Sequence, residues 1–96
     1  MDIKIYGSKG CYYCEQAREL LKRASLEYTY LEVIPKTEVP GPEEPPEGYV
    51  WKQFFQREYP GVNAYPYVLI DGKPIGALIE LAKHLVKEGL VSARKD

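Results

Sequence analysis

Polar and apolar positions alternate over "DIKIY", with Ile3 and Ile5 on one face, and this pattern predicts a short buried strand. Gly7 and Gly10 frame the turn that follows. From Cys11 the period lengthens to that of a helix. Tyr13, Ala17, Leu20 and Ala24 form one stripe, with Glu15 in the first turn and Lys22 and Arg23 in the last, in accord with the helix dipole. "YTYLEVI" (Tyr28 to Ile34) is rich in aromatic and β-branched residues and predicts a second strand. A helix joining two strands is a βαβ unit, so the two strands are expected to run parallel.

The pattern then breaks. "PKTEVPGPEEPPEG", at about 35–48, holds five of the eight prolines and four glutamates against one lysine. Proline lacks the donor that helix interiors and central strands need, so a solvated loop is expected, with a docking surface for a basic partner as the alternative. "YVWKQFFQREY" follows as a predicted helix with Val50, Trp51 and Phe54 inward, ended by Pro60 and Gly61. "YPYVLI" (Tyr65 to Ile70), the turn "DGK" and "PIGA" predict two antiparallel strands joined by an Asp-Gly hairpin. "ALIELAKHLVKEG" predicts a closing amphipathic helix with Leu78, Leu81, Ala82 and Leu85 inward and Gly89 as its stop. No repeat is present, and residues 1–96 are expected to form one domain.

Composition narrows the function classes. Apolar residues make up 45% of the 96, enough for one packed core. Thirteen basic and fourteen acidic side chains give a net charge of −1, which offers no electrostatic basis for nucleic acid or an acidic membrane as partner. Neither a signal peptide nor a membrane anchor is read from the chain, so a cytoplasmic monomer is expected, in a compartment that keeps thiols reduced.

In that setting the two cysteines, Cys11 and Cys14, carry the chemistry. Three apart at the start of a helix, they share a face and can close a disulfide with little backbone movement. Unpaired N–H groups of the first turn stabilise a thiolate at Cys11, assisted by Lys9 and partly opposed by Glu15. Cys14, one turn inward, lacks that help. The roles divide into Cys11 as nucleophile and Cys14 as resolving thiol. A structural zinc site takes four protein ligands, and His84 is the one other soft candidate, so no metal site is expected. A purely structural disulfide closes too short a loop to remove much chain entropy. A Cys–His dyad requires His84 beside Cys11, which nothing in the sequence provides.

"KIYGSKGCYYCEQARELL" and "AYPYVLIDGKPIGALIEL" together resemble the glutaredoxin family, over nearly the whole chain apart from the proline-rich insert. The resemblance implies an α/β, thioredoxin-like fold with a small mixed four-stranded sheet flanked by helices. It implies a cis Tyr65–Pro66 bond beside Cys11, and a site for glutathione or substrate formed by Lys9, Tyr13, Tyr65, Pro66, Gly76, Ala77, Leu78 and Glu80. The activity implied is glutathione-dependent thiol–disulfide exchange through Cys11 and Cys14. Glutathione then serves as co-substrate, no cofactor is tightly bound, and the clients are disulfide proteins such as ribonucleotide reductase.

The departures from the family pattern bear on glutathione. Tyr12 replaces the proline common after the first cysteine, and Lys9 lies two residues before Cys11 instead of three. Ala64-Tyr65 stands for Thr-Val, Gly76-Ala77 for Gly-Gly, and Ile79-Glu80 for the Thr-Asp pair that holds the γ-glutamyl end. Two alternatives follow from the same resemblance: a redox carrier reduced directly by a thioredoxin-type reductase, and a dimer sharing an iron–sulfur cluster with glutathione as co-ligand.

Overall fold

The computed structural model describes residues 2–35, 45–62 and 64–91. Strand β1 (Ile3–Gly7) lies at the centre of a five-stranded sheet. Helix α1 (Tyr12–Arg23) leads to β2 (Thr29–Ile34), which pairs parallel to β1 with Ile5 opposite Tyr30. The predicted βαβ unit is therefore present. Its buried stripe runs through Cys14, Ala17 and Leu21, and Tyr13 points outward. Cys11 is the N-cap, so the inward face of α1 starts at Cys14, one position later than the sequence pattern gave.

Strand β3 (Tyr49–Trp51) adds to the edge of β2 in parallel, with Ile34 opposite Trp51, and helix α2 (Lys52–Glu58) follows at once. The expectation of four strands, with residues 49–59 all helical, is corrected here. Tyr, Val and Trp all favour the extended state, and the open edge of β2 supplies the hydrogen-bond partners that three isolated residues lack. The shorter helix also changes phase. Trp51 and Phe55 are 1% and 4% exposed, whereas Phe54, expected inward, is 48% exposed.

Strands β4 (Tyr67–Ile70) and β5 (Lys73–Gly76) form the expected hairpin, with β4 antiparallel to β1, and the sheet order is β3-β2-β1-β4-β5. Asp71 and Gly72 take φ of +52° and +82°, the positive pair that a two-residue type I′ turn requires. Pro74 is tolerated because β5 is an edge strand. Helix α3 (Leu78–Lys87) buries Leu81 and Leu85, with Leu78 and Ala82 half-buried, and ends where Gly89 takes φ +73°.

Neighbouring strand residues face opposite sides of the sheet, and this splits the core in two. Ile3, Ile5, Val68 and Ile70 pack with Ala17 and Leu21 of α1 and Leu81 and Leu85 of α3. Tyr6, Val33 and Leu69 pack with Phe55 of α2. The second face is strongly aromatic. Phe55 lies 4.8 Å from Tyr6, 5.5 Å from Tyr59, and 5.9 Å from both Tyr65 and Tyr67, measured between ring centroids. The proline-rich loop falls for the most part outside the described residues. Among those residues no helix is long and apolar enough to cross a membrane.

Candidate active site

The end of β1, the start of α1 and the segment before β4 meet at the cysteines. Cys11 has extended backbone (φ −83°, ψ 112°) and accepts the Cys14 backbone N–H on its sulfur at 3.2 Å. This is the donor that the sequence placed in the first turn. The turn is closed on the other side by Cys11 N–H donating to the Ser8 carbonyl at 3.2 Å. The Cys11 thiol points across to β4's approach, donating to the Tyr65 carbonyl at 3.8 Å, long because sulfur is large. Both cysteines are free thiols, with Cys11 partly exposed and Cys14 fully buried.

That difference separates their chemistry. Burial, followed by the hydrogen bond with Cys11, pushes the Cys14 thiol up to about 12. The Ser8 backbone and the Tyr30 hydroxyl pull it the other way. Cys14 is thus a neutral thiol at neutral pH, out of reach of solvent. Cys11 is the sulfur a substrate can reach.

Beside the cysteines lies a groove of about 280 Å³, lined by Tyr13 of α1, residues 64–66, and residues 77–80 at the start of α3. The Tyr65–Pro66 bond is cis, as the resemblance implied. The groove therefore brings together Tyr13, Tyr65, Pro66, Ala77, Leu78 and Glu80 from the expected site, and adds Ala64 and Ile79. Its walls are mostly apolar. Gly76, also expected at the site, does not line the groove; it takes φ +119°, and a Cβ there would come within 2.7 Å of the Glu80 side chain. Lys9 is exposed in the turn before Cys11 and does not line the groove.

The start of α3 is already occupied. Ala77 N–H donates to the Glu80 carboxylate at 2.9 Å. That bond, together with Glu80's own backbone N–H, holds the Glu80 carboxyl below the usual range. The protein thus supplies its own anion at a helix N-terminus otherwise suited to a ligand's.

Residues that the sequence reading did not single out surround Cys14 from behind. The Tyr30 hydroxyl faces its sulfur and favours the thiolate, and the Arg18 guanidinium lies 4.5 Å over the Tyr30 ring. The available signals were positional: Tyr30 faces the α1 side of the sheet in register with Ile5, and Arg18 follows Cys14 by four on the helix. His84 lies far along the chain in the last turn of α3. Among the described residues, no three His, Cys, Asp or Glu side chains gather as a metal set.

The glutaredoxin family model matches residues 3–40, which include β1, both cysteines, α1 and β2. Glutaredoxin 1 of Francisella tularensis, in complex with cacodylate, superposes with a TM-score of 0.63 at 20% identity, over 93% of this chain and 95% of that one. Reduced Escherichia coli glutaredoxin gives 0.60 at 20% identity, over 95% and 100%. Glutaredoxin of Brucella melitensis gives 0.55 at 28% identity, over 93% and 82%. Comparison with curated protein sequences gives no significant match. The resemblance to the glutaredoxins holds, by sequence over the redox segment and by fold over nearly the whole chain; members of that family are thiol–disulfide oxidoreductases.

Proposed function

From a glutaredoxin-type redox segment on a glutaredoxin fold, we propose that this chain reduces protein disulfides and glutathione mixed disulfides, with glutathione as its reductant. The observation that carries the reading is the contrast between the two sulfurs: Cys11 partly exposed at a helix N-cap and in contact with the Tyr65 carbonyl, Cys14 buried one turn behind it. Cys11 thiolate attacks one sulfur of the client disulfide, forms a mixed disulfide and expels the other sulfur as a thiol. Cys14 then attacks the Cys11 sulfur, releasing the client's second thiol and leaving the Cys11–Cys14 disulfide. Two glutathione molecules return the pair to the dithiol and leave as glutathione disulfide. With a glutathione mixed disulfide, a glutathione molecule can resolve in place of Cys14. We place the reaction in the cytoplasm, where thiols are kept reduced.

A second reading, reduction by a thioredoxin-type reductase, is favoured by the self-capped start of α3. Glutathione brings two carboxylates to a mostly apolar groove whose Ala77 N–H already serves Glu80. The deciding experiment supplies the purified protein with a peptide disulfide and compares two regenerating systems: glutathione with glutathione reductase, and thioredoxin reductase without glutathione. Turnover only with the first supports the proposal. Turnover only with the second replaces it.

A further inference from the structure

The Cys14 thiol is buried, yet the second step of the proposed exchange requires it as a nucleophile. A buried thiolate is stable only where donors replace the water it has lost. Besides Cys11 and the Ser8 backbone, the group that faces this sulfur is the Tyr30 phenol, from the start of β2.

Its position is built rather than incidental. Tyr30 stands in register with Ile5, and its side chain takes the same face of the sheet as Ile5 and Gly7. At Gly7 the backbone leaves room for the phenol. A Cβ there would overlap the Tyr30 hydroxyl and come within 2.6 Å of its Cζ and 2.8 Å of its Cε2. From the helix side, the Arg18 guanidinium lies 4.5 Å over the ring. Arg18 is itself tethered, by Nε to the Tyr28 hydroxyl at 3.4 Å and by a guanidinium N–H to Glu15 at 3.2 Å. The ring is thus held between the glycine and the cation, with its hydroxyl at Cys14.

We propose that Tyr30 is a positioning residue for the resolving step, its hydroxyl donating to the Cys14 sulfur and holding the thiolate that attacks Cys11. The inference rests on the reading of Cys11 and Cys14 given above. Burial, and after it the neighbouring Cys14, raise the Tyr30 phenol's own pKa, so it keeps its proton and acts as a donor only. The proton that Cys14 loses passes to the solvent or to the departing thiolate. The step balances as a Cys14 thiol plus a Cys11–S–S–R mixed disulfide giving the Cys11–Cys14 disulfide and R–SH. The titratable and charged groups around this pair are Cys11, Glu15 and Arg18 from α1 and its cap, Tyr28 just before β2, Glu32 from β2, and Tyr65 before β4.

The aromatic disulfide 5,5′-dithiobis(2-nitrobenzoate) separates the two steps by colour. Reduced protein releases one thionitrobenzoate when Cys11 attacks, and a second when Cys14 attacks the resulting mixed disulfide. In stopped-flow measurements Tyr30→Phe should leave the first phase unchanged. The second should slow by about threefold to tenfold, the usual worth of one such hydrogen bond. Because the donor favours the thiolate, its loss should also move the rise of the second phase to higher pH. In a Cys14→Ser background, Tyr30→Phe should leave the first phase at the rate of Cys14→Ser alone. An unchanged second phase overturns the proposal, as does equal slowing of both phases, which marks a structural role. A first phase that survives Cys11→Ser overturns the underlying assignment of the nucleophile, and this inference with it.

Discussion

The Tyr65 carbonyl oxygen stands 3.8 Å from the Cys11 sulfur, while the Tyr65 ring packs 5.9 Å from Phe55 on the opposite side of the sheet from α1. One residue therefore ties the redox sulfur to the aromatic core under α2. Phe55 is the hub of that core, in contact with four tyrosine rings. Phe55→Leu keeps the site apolar but removes ring pairs worth about 0.5–1.5 kcal/mol each beyond their buried area. The variant should lose a few kcal/mol in urea unfolding. It should also react more slowly at Cys11, although residue 55 touches neither cysteine. An unaltered Cys11 rate in a destabilised variant would show that Tyr65 is held by other means.

The two cysteines should prove unequal in mutation. Cys11→Ser should abolish exchange with every disulfide. Cys14→Ser should lose reduction of a peptide disulfide yet retain part of its activity on a glutathione mixed disulfide, where glutathione takes over resolution. Equal losses in both variants on both substrates would reject the division of roles.

The raised Cys14 thiol sets the direction of the pH dependence. Its pKa lies well above neutrality, at about 12 in the reduced protein, so the thiolate fraction grows about tenfold per pH unit throughout the working range. Once Cys11 is in a mixed disulfide, its contribution to that rise is gone, but burial, the largest cause, remains. The resolving rate should therefore climb steadily from pH 7 to pH 8.5 without a plateau. Iodoacetamide at pH 7 should modify Cys11 and leave Cys14 intact in the folded protein. Mass spectrometry of the digested adduct checks this directly.

What the sequence made legible is the part specified by local spacing. The βαβ unit, the Asp71-Gly72 hairpin and the Cys11–Cys14 pair at a helix start each depend on residues within a few positions of one another. The fifth strand was not legible, because Tyr49–Trp51 became extended only through pairing with β2, a contact that no periodicity encodes. The same missed strand misplaced Phe54, which faces outward while Phe55 is buried. Likewise Tyr30 read as an ordinary strand aromatic, since its meeting with Cys14 depends on how α1 crosses β2. The family resemblance supplied Pro66 and the start of α3 as site elements, but not the Glu80 carboxylate folded back onto Ala77.

That carboxylate bears on the reductant. If glutathione binds with a carboxylate at the start of α3, it competes with Glu80 for the Ala77 N–H and is repelled by its charge. Glu80→Gln keeps an oxygen to cap the helix and removes the charge, so the KM for glutathione should fall by about twofold to fivefold. Ile79→Thr, which places a hydroxyl in the groove, should lower it as well. Lys9→Ala should raise it. If the KM is indifferent to all three, glutathione does not use this groove.

Gly7 offers the most direct check on the packing behind Cys14. An alanine there cannot fit while the Tyr30 phenol holds its place, since the new methyl would meet the hydroxyl and the ring edge together. Overpacking of this kind typically costs about 1–3 kcal/mol, so Gly7→Ala should lower the Tm by roughly 4–8 °C per kcal/mol in a domain of this size. The displaced phenol should also slow resolution by Cys14. Tyr30→Phe removes the atom nearest the new methyl and should recover part of the lost stability, but none of the lost resolving rate. A double-mutant cycle on Gly7→Ala and Tyr30→Phe should therefore show strong coupling in Tm. Additive effects on Tm would mean that the phenol does not occupy the space above Gly7 in solution.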